Sequence, residues 1–135
     1  MCIRDSAGCL APGKSRFSSL CPTIVFRNDE PFIVIGAPGG TQIAMGVLQV
    51  LLNLIDFDMP ITDAVIAPRF SGTSTPIDVS NRIPRFVTRE LEAMNYEIIR
   101  WAQSYAFGWV HGIRIDDGIW SGGADPATDG MALAV

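Results

Sequence analysis

Two short apolar runs on either side of a polar turn constrain the fold of this chain more than any other feature of its sequence. Residues 23–26 and 32–35 are rich in β-branched and aromatic side chains, and the polar residues 27–30 separate them. This spacing predicts a β-hairpin. Because both runs are apolar on both faces, we expect the hairpin to be buried on both sides.

The segment 41–57, which follows the hairpin, is predicted to be a helix. Its polar residues Gln42, Gln49, Asn53 and Asp56 fall on one narrow stripe, and the rest of the segment is mostly apolar. We therefore expect a helix that is buried around most of its circumference. A membrane span is the alternative, but the apolar stretch 43–55 is short for one and contains Gln49 and Asn53.

Prolines indicate where two further helices begin. Pro60 suits the first turn of a helix that places Ile61, Ala64 and Val65 on one face and stops at Pro68. Residues 69–82 are rich in Ser, Thr and Pro and predict an extended loop. Pro84 starts the third helix, and Asn95 is expected to be its left-handed C-cap. The side chains expected to point inward from this helix are Phe86, Val87, Leu91 and Met94.

The rest of the chain is predicted to be strands and loop. Residues 97–101 and 109–115 are expected to be strands, residues 116–118 a tight turn, and residues 119–120 the start of a returning strand. The Gly-, Asp- and Ala-rich tail from residue 122 is expected to be loop. The order of strands and helices predicts a layered α+β fold.

Composition excludes several classes of protein. Hydrophobic residues make up 48% of the chain, which excludes disorder. With 14 acidic against 10 basic residues, the chain lacks the basic surface of a nucleic-acid-binding protein. The odd number of cysteines, Cys2, Cys9 and Cys21, argues against a disulfide scaffold and favours unpaired thiols. A single histidine, His111, leaves no metal site of the usual spacing, and we expect neither a metal nor a cofactor.

The first residues lack the apolar region of a targeting segment. We expect residues 1–11 to be a non-native or scar segment, and residues 12–135 to be one partial domain.

The most informative motif is the glycine corner, residues 36–40, with the sequence Gly-Ala-Pro-Gly-Gly. It joins a predicted strand to the N-terminus of a predicted helix. Adjacent glycines let backbone N–H groups approach a ligand, and the helix end adds partial positive charge. Such a corner can hold a phosphate, a carboxylate or the oxyanion of an acyl-transfer intermediate, although a tight turn without a ligand has the same pattern. It does not match the dinucleotide-binding fingerprint.

A pair of serines, Ser18 and Ser19, stands just before the first predicted strand. Two hydroxyls can donate hydrogen bonds to a ligand carboxylate. An ordinary Ser-rich loop is the alternative.

Several segments, taken together, resemble the γ-glutamyltranspeptidase family. Residues 13–25 are similar to a small-subunit segment in which Ser-Ser precedes a strand, and the glycine corner is similar to the family's Gly-Ser-Pro-Gly-Gly. The segments that agree in order and spacing are 13–25, 36–43, 47–57, 64–69 and 123–126. The resemblance covers residues 12–135 and is specific because these motifs occur in register.

The resemblance implies part of an αββα sandwich of the N-terminal-nucleophile hydrolases. In this family a precursor cleaves itself to expose a threonine, which attacks a γ-glutamyl amide such as glutathione and forms an acyl-enzyme. It implies that Ser18 and Ser19 bind the α-carboxylate of the donor. It also implies that Gly39 and Gly40 supply oxyanion N–H groups. The family's usual compartment is periplasmic or extracellular, although this sequence does not establish the compartment.

The nucleophile of the family is not recognisable in this sequence. It opens the small subunit as Thr-Thr-His or Thr-Ser-His, and no threonine here has that context. We therefore expect the chain to be the C-terminal part of a small subunit, inactive alone, whose partner is the missing portion or large subunit of its parent. A related amide acylase and a non-catalytic binding module are the alternatives. His111 is interpreted as structural, with a catalytic role as the alternative. Asp125 is interpreted as structural, as a cap or brace for the site loop.

Overall fold

The computed structural model describes residues 11–15 and 18–133, which form a four-stranded and a three-stranded sheet. The strands are β1 Thr23–Arg27, β2 Glu30–Gly36, β3 Phe70–Ser71, β4 Ile77–Val79, β5 Ile98–Arg100, β6 His111–Asp116 and β7 Ile119–Ala124. The helices are α1 Ile43–Ile55, α2 Ile61–Ile66 and α3 Arg85–Ala93, and a 3-10 turn, Gly40–Gln42, precedes α1. The predicted α+β class is confirmed.

The predicted hairpin is confirmed, but its predicted burial is wrong. β1 and β2 pair antiparallel from Thr23 opposite Ile35 to Arg27 opposite Glu30. Ile33 and Ile35 are buried against the helices, whereas the alternating residues Ile24, Phe26 and Val34 are exposed. The reason is that α1 and α2 cover one face of the sheet, so side chains of the opposite face remain open in this chain.

The four-stranded sheet has the order β1-β2-β6-β7, and every neighbouring pair is antiparallel. Its covered face packs on α1 and α2 and forms the main core. The second sheet has the order β3-β4-β5, in which β4 and β5 are parallel.

Helix α1 lies where it was predicted, but it is less buried than expected. Its buried residues are Ile43, Gly46, Val47, Val50 and Leu54. Leu48, Leu52 and Ile55 are exposed because only one side of α1 meets the sheet and α2. Among the described residues, no helix is long and apolar enough to cross a membrane.

Helix α2 confirms its prediction, with Ile61, Ala64 and Val65 buried. The loop predicted at 69–82 is wrong in part because β3 and β4 lie within it. These short strands gain their hydrogen bonds from each other and from β5, about twenty residues further along the chain.

Helix α3 is present, but its predicted inward face is wrong. Phe86 and Met94 are 67% and 64% exposed, and Val87 is exposed too. Leu91 is half-buried, whereas Thr88 is buried. Thr88 faces inward because its hydroxyl accepts a hydrogen bond from Arg100 of β5.

Two predicted turns are confirmed by their backbone angles. Asn95 has φ 67°, as expected of a left-handed C-cap. Asp117 and Gly118 have φ 49° and 77°, which matches a two-residue turn between β6 and β7. β7 runs on to Ala124, so it includes the first residues of the tail predicted to be loop.

Cys21 is a free, half-buried thiol that lies 3.8 Å from the hydroxyl of Thr23. Cys2 and Cys9 lie outside the described residues.

Candidate functional site

The strand register places Gly36 and His111 at one end of the four-stranded sheet, and the segments that carry the other predicted site residues adjoin the strands at this end. Thr23, where β1 begins, pairs with Ile35 near the end of β2. His111, where β6 begins, lies between Gly36 of β2 and Ala124 at the end of β7. We call this edge the glycine end. The residues at or next to it in the chain are Ser18, Ser19, Gly36, Gly39, Gly40, His111 and Asp125.

The two glycines of the corner have conformations that other residues rarely adopt. Gly39 has φ 141° and Gly40 has φ 61°. A Cβ on Gly39 would lie 2.7 Å from Cα of Gly108, so a side chain there would collide with backbone. A Cβ on Gly40 would meet open space, so only its backbone angle disfavours a side chain.

The hydrogen bonds of the corner leave its amides available. The carbonyl of Pro38 accepts a hydrogen bond from the N–H of Trp109 at 3.0 Å, and the carbonyl of Gly39 accepts one from Gln42 at 3.3 Å. Within the described part of the chain, the N–H groups of Gly39 and Gly40 donate to no other group. Both residues are exposed at the start of the 3-10 turn that leads into α1. The corner therefore offers adjacent donors to an anion arriving from outside the chain.

Close backbone packing that was not predicted from the sequence supports the glycine corner. A Cβ on Gly46 of α1 would lie 2.7 Å from the carbonyl oxygen of Phe107. Gly108 has φ 78°, and its Cα also touches the position of a Cβ on Gly39. The signal in the sequence is a glycine within a predicted helix, which often marks a close approach of another backbone.

Ser18 and Ser19 lie in the segment before β1. The hydroxyl of Ser18 accepts a hydrogen bond from the N–H of Leu20 at 3.3 Å. Ser18 is exposed and Ser19 is half-buried. The Ser18 hydroxyl keeps its own proton for a further acceptor, since in this contact it serves as the acceptor.

A buried ion pair is the strongest electrostatic feature of the glycine end. The Arg69 guanidinium contacts the Asp125 carboxylate through Nη2 and Oδ2, and both side chains are almost fully buried. Arg69 also donates to the carbonyl of Val65 at 2.6 Å. Asp125 is predicted from the sequence to be a structural residue of the site loop, whereas its partner Arg69 is not predicted. Their separation of 56 positions gives no local signal for the pair.

Asp125 also organises the loop that follows β7. Its Oδ1 accepts a hydrogen bond from the N–H of Ala127 at 2.9 Å, and its carbonyl accepts one from the hydroxyl of Thr128 at 3.0 Å. The same hydroxyl lies 3.3 Å from Nε2 of His111. Arg69, Asp125, Thr128 and His111 thus form a continuous set of polar contacts at the glycine end.

His111 faces the side of the sheet that the helices leave open. The neighbouring residue Gly112 faces Ile35 and Ile61 on the helix side, and successive residues of a strand alternate. A groove of about 1010 Å³ runs along this open face. Its lining includes Val34, His111, Ile113, Trp120 and Leu133.

No group of three or more His, Cys, Asp or Glu side chains in the described ranges could hold a metal ion.

Thr23 and Thr88 use their hydroxyls in internal hydrogen bonds, to the carbonyls of Cys21 and Arg85 respectively.

Comparison with known proteins identifies the family. Residues 3–135 match the sequence model of the family described as Gamma-glutamyltranspeptidase. The chain belongs to this family, which confirms the resemblance.

Individual relatives agree with this assignment. The glutathione hydrolase proenzyme of Pseudomonas aeruginosa is 33% identical over 98% of this chain and 24% of its own length. The acylase ACY 1 proenzyme of Pseudomonas sp. strain SE83 is 30% identical over 93% of this chain and 22% of its own length. This chain thus spans about a quarter of the length of each of these two relatives.

A solved structure shows the same fold. The gamma-glutamyltranspeptidase from Pseudomonas nitroreducens complexed with L-DON superimposes with a TM-score of 0.84 at 30% identity. The match covers 99% of this chain and 71% of that chain. The expected fold, part of an N-terminal-nucleophile hydrolase sandwich, is confirmed.

Proposed function

We propose that this chain forms the acyl-binding and oxyanion-stabilising part of an enzyme that cleaves γ-glutamyl amides, such as glutathione, through a threonine acyl-enzyme. The observation that carries the proposal is the pair of adjacent, unused N–H groups at Gly39 and Gly40 in a member of this family. The threonine is proposed to come from the rest of the parent protein.

In the proposed reaction, the threonine oxygen attacks the carbonyl carbon of the donor amide. The carbonyl oxygen gains negative charge, and the N–H groups of Gly39 and Gly40 donate to it. The C–N bond then breaks, the amine leaves with the proton that the threonine hydroxyl gave up, and an ester to threonine remains. Water or an amino acid displaces the threonine oxygen and releases the acyl group.

Ser18 and Ser19 are proposed to fix the other end of the donor. A γ-glutamyl group carries a free α-carboxylate, and hydroxyl donors match it. Both serines precede β1, which begins at the glycine end, so the two functions would lie at the same edge of the sheet.

The open face of the sheet supports the proposal that this chain is part of a larger parent protein. Ile24, Phe26, Val34 and Trp120 are exposed apolar side chains on or beside it. An apolar area of this kind usually marks a surface that another part of a protein covers. The missing portion or large subunit of the parent is the proposed cover, and it would also carry the nucleophile.

A related amide acylase with a different acyl group is the second candidate. The acylase relative supports it at 30% identity. The third candidate is a non-catalytic binding module in which the glycine corner binds an anion.

The parent protein separates these candidates. We expect the purified parent to release p-nitroaniline from γ-glutamyl-p-nitroanilide, and this chain alone to release none because an acyl transfer needs an activated nucleophile. Faster turnover of another acyl anilide would favour the acylase. An inactive, correctly folded parent without a Thr-Thr-His or Thr-Ser-His motif would favour the binding module. Turnover by the isolated chain above the blank would contradict the account of the missing nucleophile.

A further inference from the structure

The arginines of this chain divide into two groups by their partners. Arg27, Arg69 and Arg114 each form an ion pair with an aspartate. Among the described residues, four other arginines have no carboxylate within ion-pair distance. These are Arg82, Arg85, Arg89 and Arg100. This is unexpected in a chain with net charge −4, in which carboxylates are in excess.

Arg100 carries a fixed charge and has no carboxylate within ion-pair distance. Its Nη1 donates to three carbonyls of the 80–83 turn at 2.7–3.2 Å, and its Nη2 donates to the hydroxyl of Thr88 at 3.1 Å. The side chain is half-buried, and all of these acceptors are neutral. They fix the position of the guanidinium, but its positive charge stays available to an anion.

Two further arginines stand beside this charge. Arg85 and Arg89 are one turn apart on α3, where side chains are neighbours about 5–6 Å apart at Cβ. Thr88 joins them to Arg100, since its hydroxyl donates to the carbonyl of Arg85 at 3.1 Å. All three arginines line a groove of about 460 Å³ between α3 and β5. Glu92 is the only carboxylate among the residues that line this groove, so its formal charge is positive.

We propose that the groove between α3 and β5 binds a small-molecule oxyanion that carries at least two negative groups. Arginine forks match the geometry of carboxylate and phosphate oxygens, so Arg85 and Arg89 can each contact one such group while the fixed positive charge of Arg100 attracts both. The first turn of α3, which includes Arg85, contributes further positive charge. It has no acidic residue and no side-chain cap, so the partial positive charge of the helix N-terminus is not neutralised. The site is separate from the glycine corner, so this proposal does not depend on the acyl-transfer proposal.

The test is a binding titration of the full 135-residue chain with two probes, citrate and pyrophosphate, in separate arms. We expect saturable 1:1 binding of at least one probe. The double variant Arg85→Gln/Arg89→Gln should bind it about tenfold more weakly or worse, because two charge-assisted donors are lost. Arg27→Gln, which removes an exposed arginine from the other sheet, is the matched control and should leave the affinity unchanged.

The variant Glu92→Gln should change the affinity in the opposite direction. It removes the one negative charge of the lining, so it should tighten binding severalfold. Preference for citrate would identify a carboxylate ligand, and preference for pyrophosphate a phosphate ligand. Absence of saturable binding of both probes would overturn the proposal. Equal affinity of the wild type and a folded double variant would also overturn it.

Discussion

The two ends of the four-stranded sheet are built in different ways. At the turn end, opposite the glycine end, tight turns with left-handed residues such as Asn28 and Asp117 join neighbouring strands. Arg27 pairs there with Asp116 at 3.2 Å, in contact with solvent. At the glycine end, the chain leaves the sheet through the glycine corner, and the Arg69–Asp125 pair is buried.

This difference concerns how each end is held together. Residues close in sequence form both hairpin turns of the turn end, and its long-range ion pairs, Arg27–Asp116 and Arg114–Asp58, each have at least one exposed side chain. The glycine end depends on segments far apart in the chain: Gly108 packs against Gly39, and Arg69 reaches Asp125. We infer that the turn end mainly closes hairpins, whereas the glycine end holds a fixed site with unused donors.

The largest expected effect on stability is that of Asp125→Asn. The substitution removes the negative partner of a buried guanidinium, and breaking a buried pair in this way typically costs about 3–5 kcal/mol. Urea unfolding of the chain, followed by circular dichroism, measures the change. The double variant Arg69→Met/Asp125→Leu is the control, since it removes both charges and should regain part of the loss. A single variant as stable as the wild type would show that the pair does not organise this end.

A smaller effect per side chain, on activity, is expected for Ser18→Ala with Ser19→Ala in the parent protein. Each hydroxyl-to-carboxylate hydrogen bond contributes on the order of 1.5–3 kcal/mol. We expect kcat/KM for a γ-glutamyl anilide to fall by roughly one to two decades for each serine. Normal donor kinetics in a folded double variant would reassign these serines to an ordinary loop.

The smallest effect is expected at the turn end, for Asp116→Asn. In this variant Arg27 keeps its contact with solvent, and Arg114 keeps its ion pair with Asp58. Exposed ion pairs contribute about 0–1 kcal/mol to stability. Urea unfolding should therefore change little, and the small change should shrink further in high salt. A loss as large as that of Asp125→Asn would remove the distinction between the two ends.

Arg114 adds no pH dependence near neutrality. Its hydrogen bond to Asp58 raises the pKa of the guanidinium above its ordinary value, which is already far above neutral. A raised pKa gives stability that is present below the unfolded pKa and is lost only as the pH rises through the folded one. Arg114 therefore stays charged throughout the neutral range.

The sequence predicts features that depend on neighbouring residues. Pro60, Asn95 and the Asp117-Gly118 turn determine local backbone angles, and all three gave correct predictions. Features that depend on distant contacts were missed. β4 becomes a strand because it pairs with β5, and α3 turns Thr88 inward because Arg100 lies there.

The candidate site shows the same division. The glycine pair at 39–40 is visible in the sequence, and so is the end of the strand that leads to it. The Arg69–Asp125 pair and the support from Gly108 depend on the way the sheet and α1 come together. The sequence gives no local signal for the ion pair, and for the close packing it gives only Gly46 within the predicted helix.

The central claim is that the backbone N–H of Gly40 stabilises the oxyanion. Proline cannot test it cleanly, since the φ of 61° at Gly40 lies outside the range that proline permits. Replacing Gly40 by glycolic acid in the parent protein turns the amide into an ester, which removes the N–H without adding a side chain. Gly40→Ala is the control, because it keeps the N–H and a Cβ there meets open space.

The deciding measurement is kcat and KM of the processed ester variant with a γ-glutamyl anilide. Loss of one oxyanion donor typically lowers kcat by about 100- to 1000-fold. We expect a loss of that size at nearly unchanged KM, since the charge develops only in the tetrahedral intermediate. The Gly40→Ala control should lose much less. A folded and processed ester variant with the wild-type kcat would contradict the account and leave the glycine corner as a tight turn.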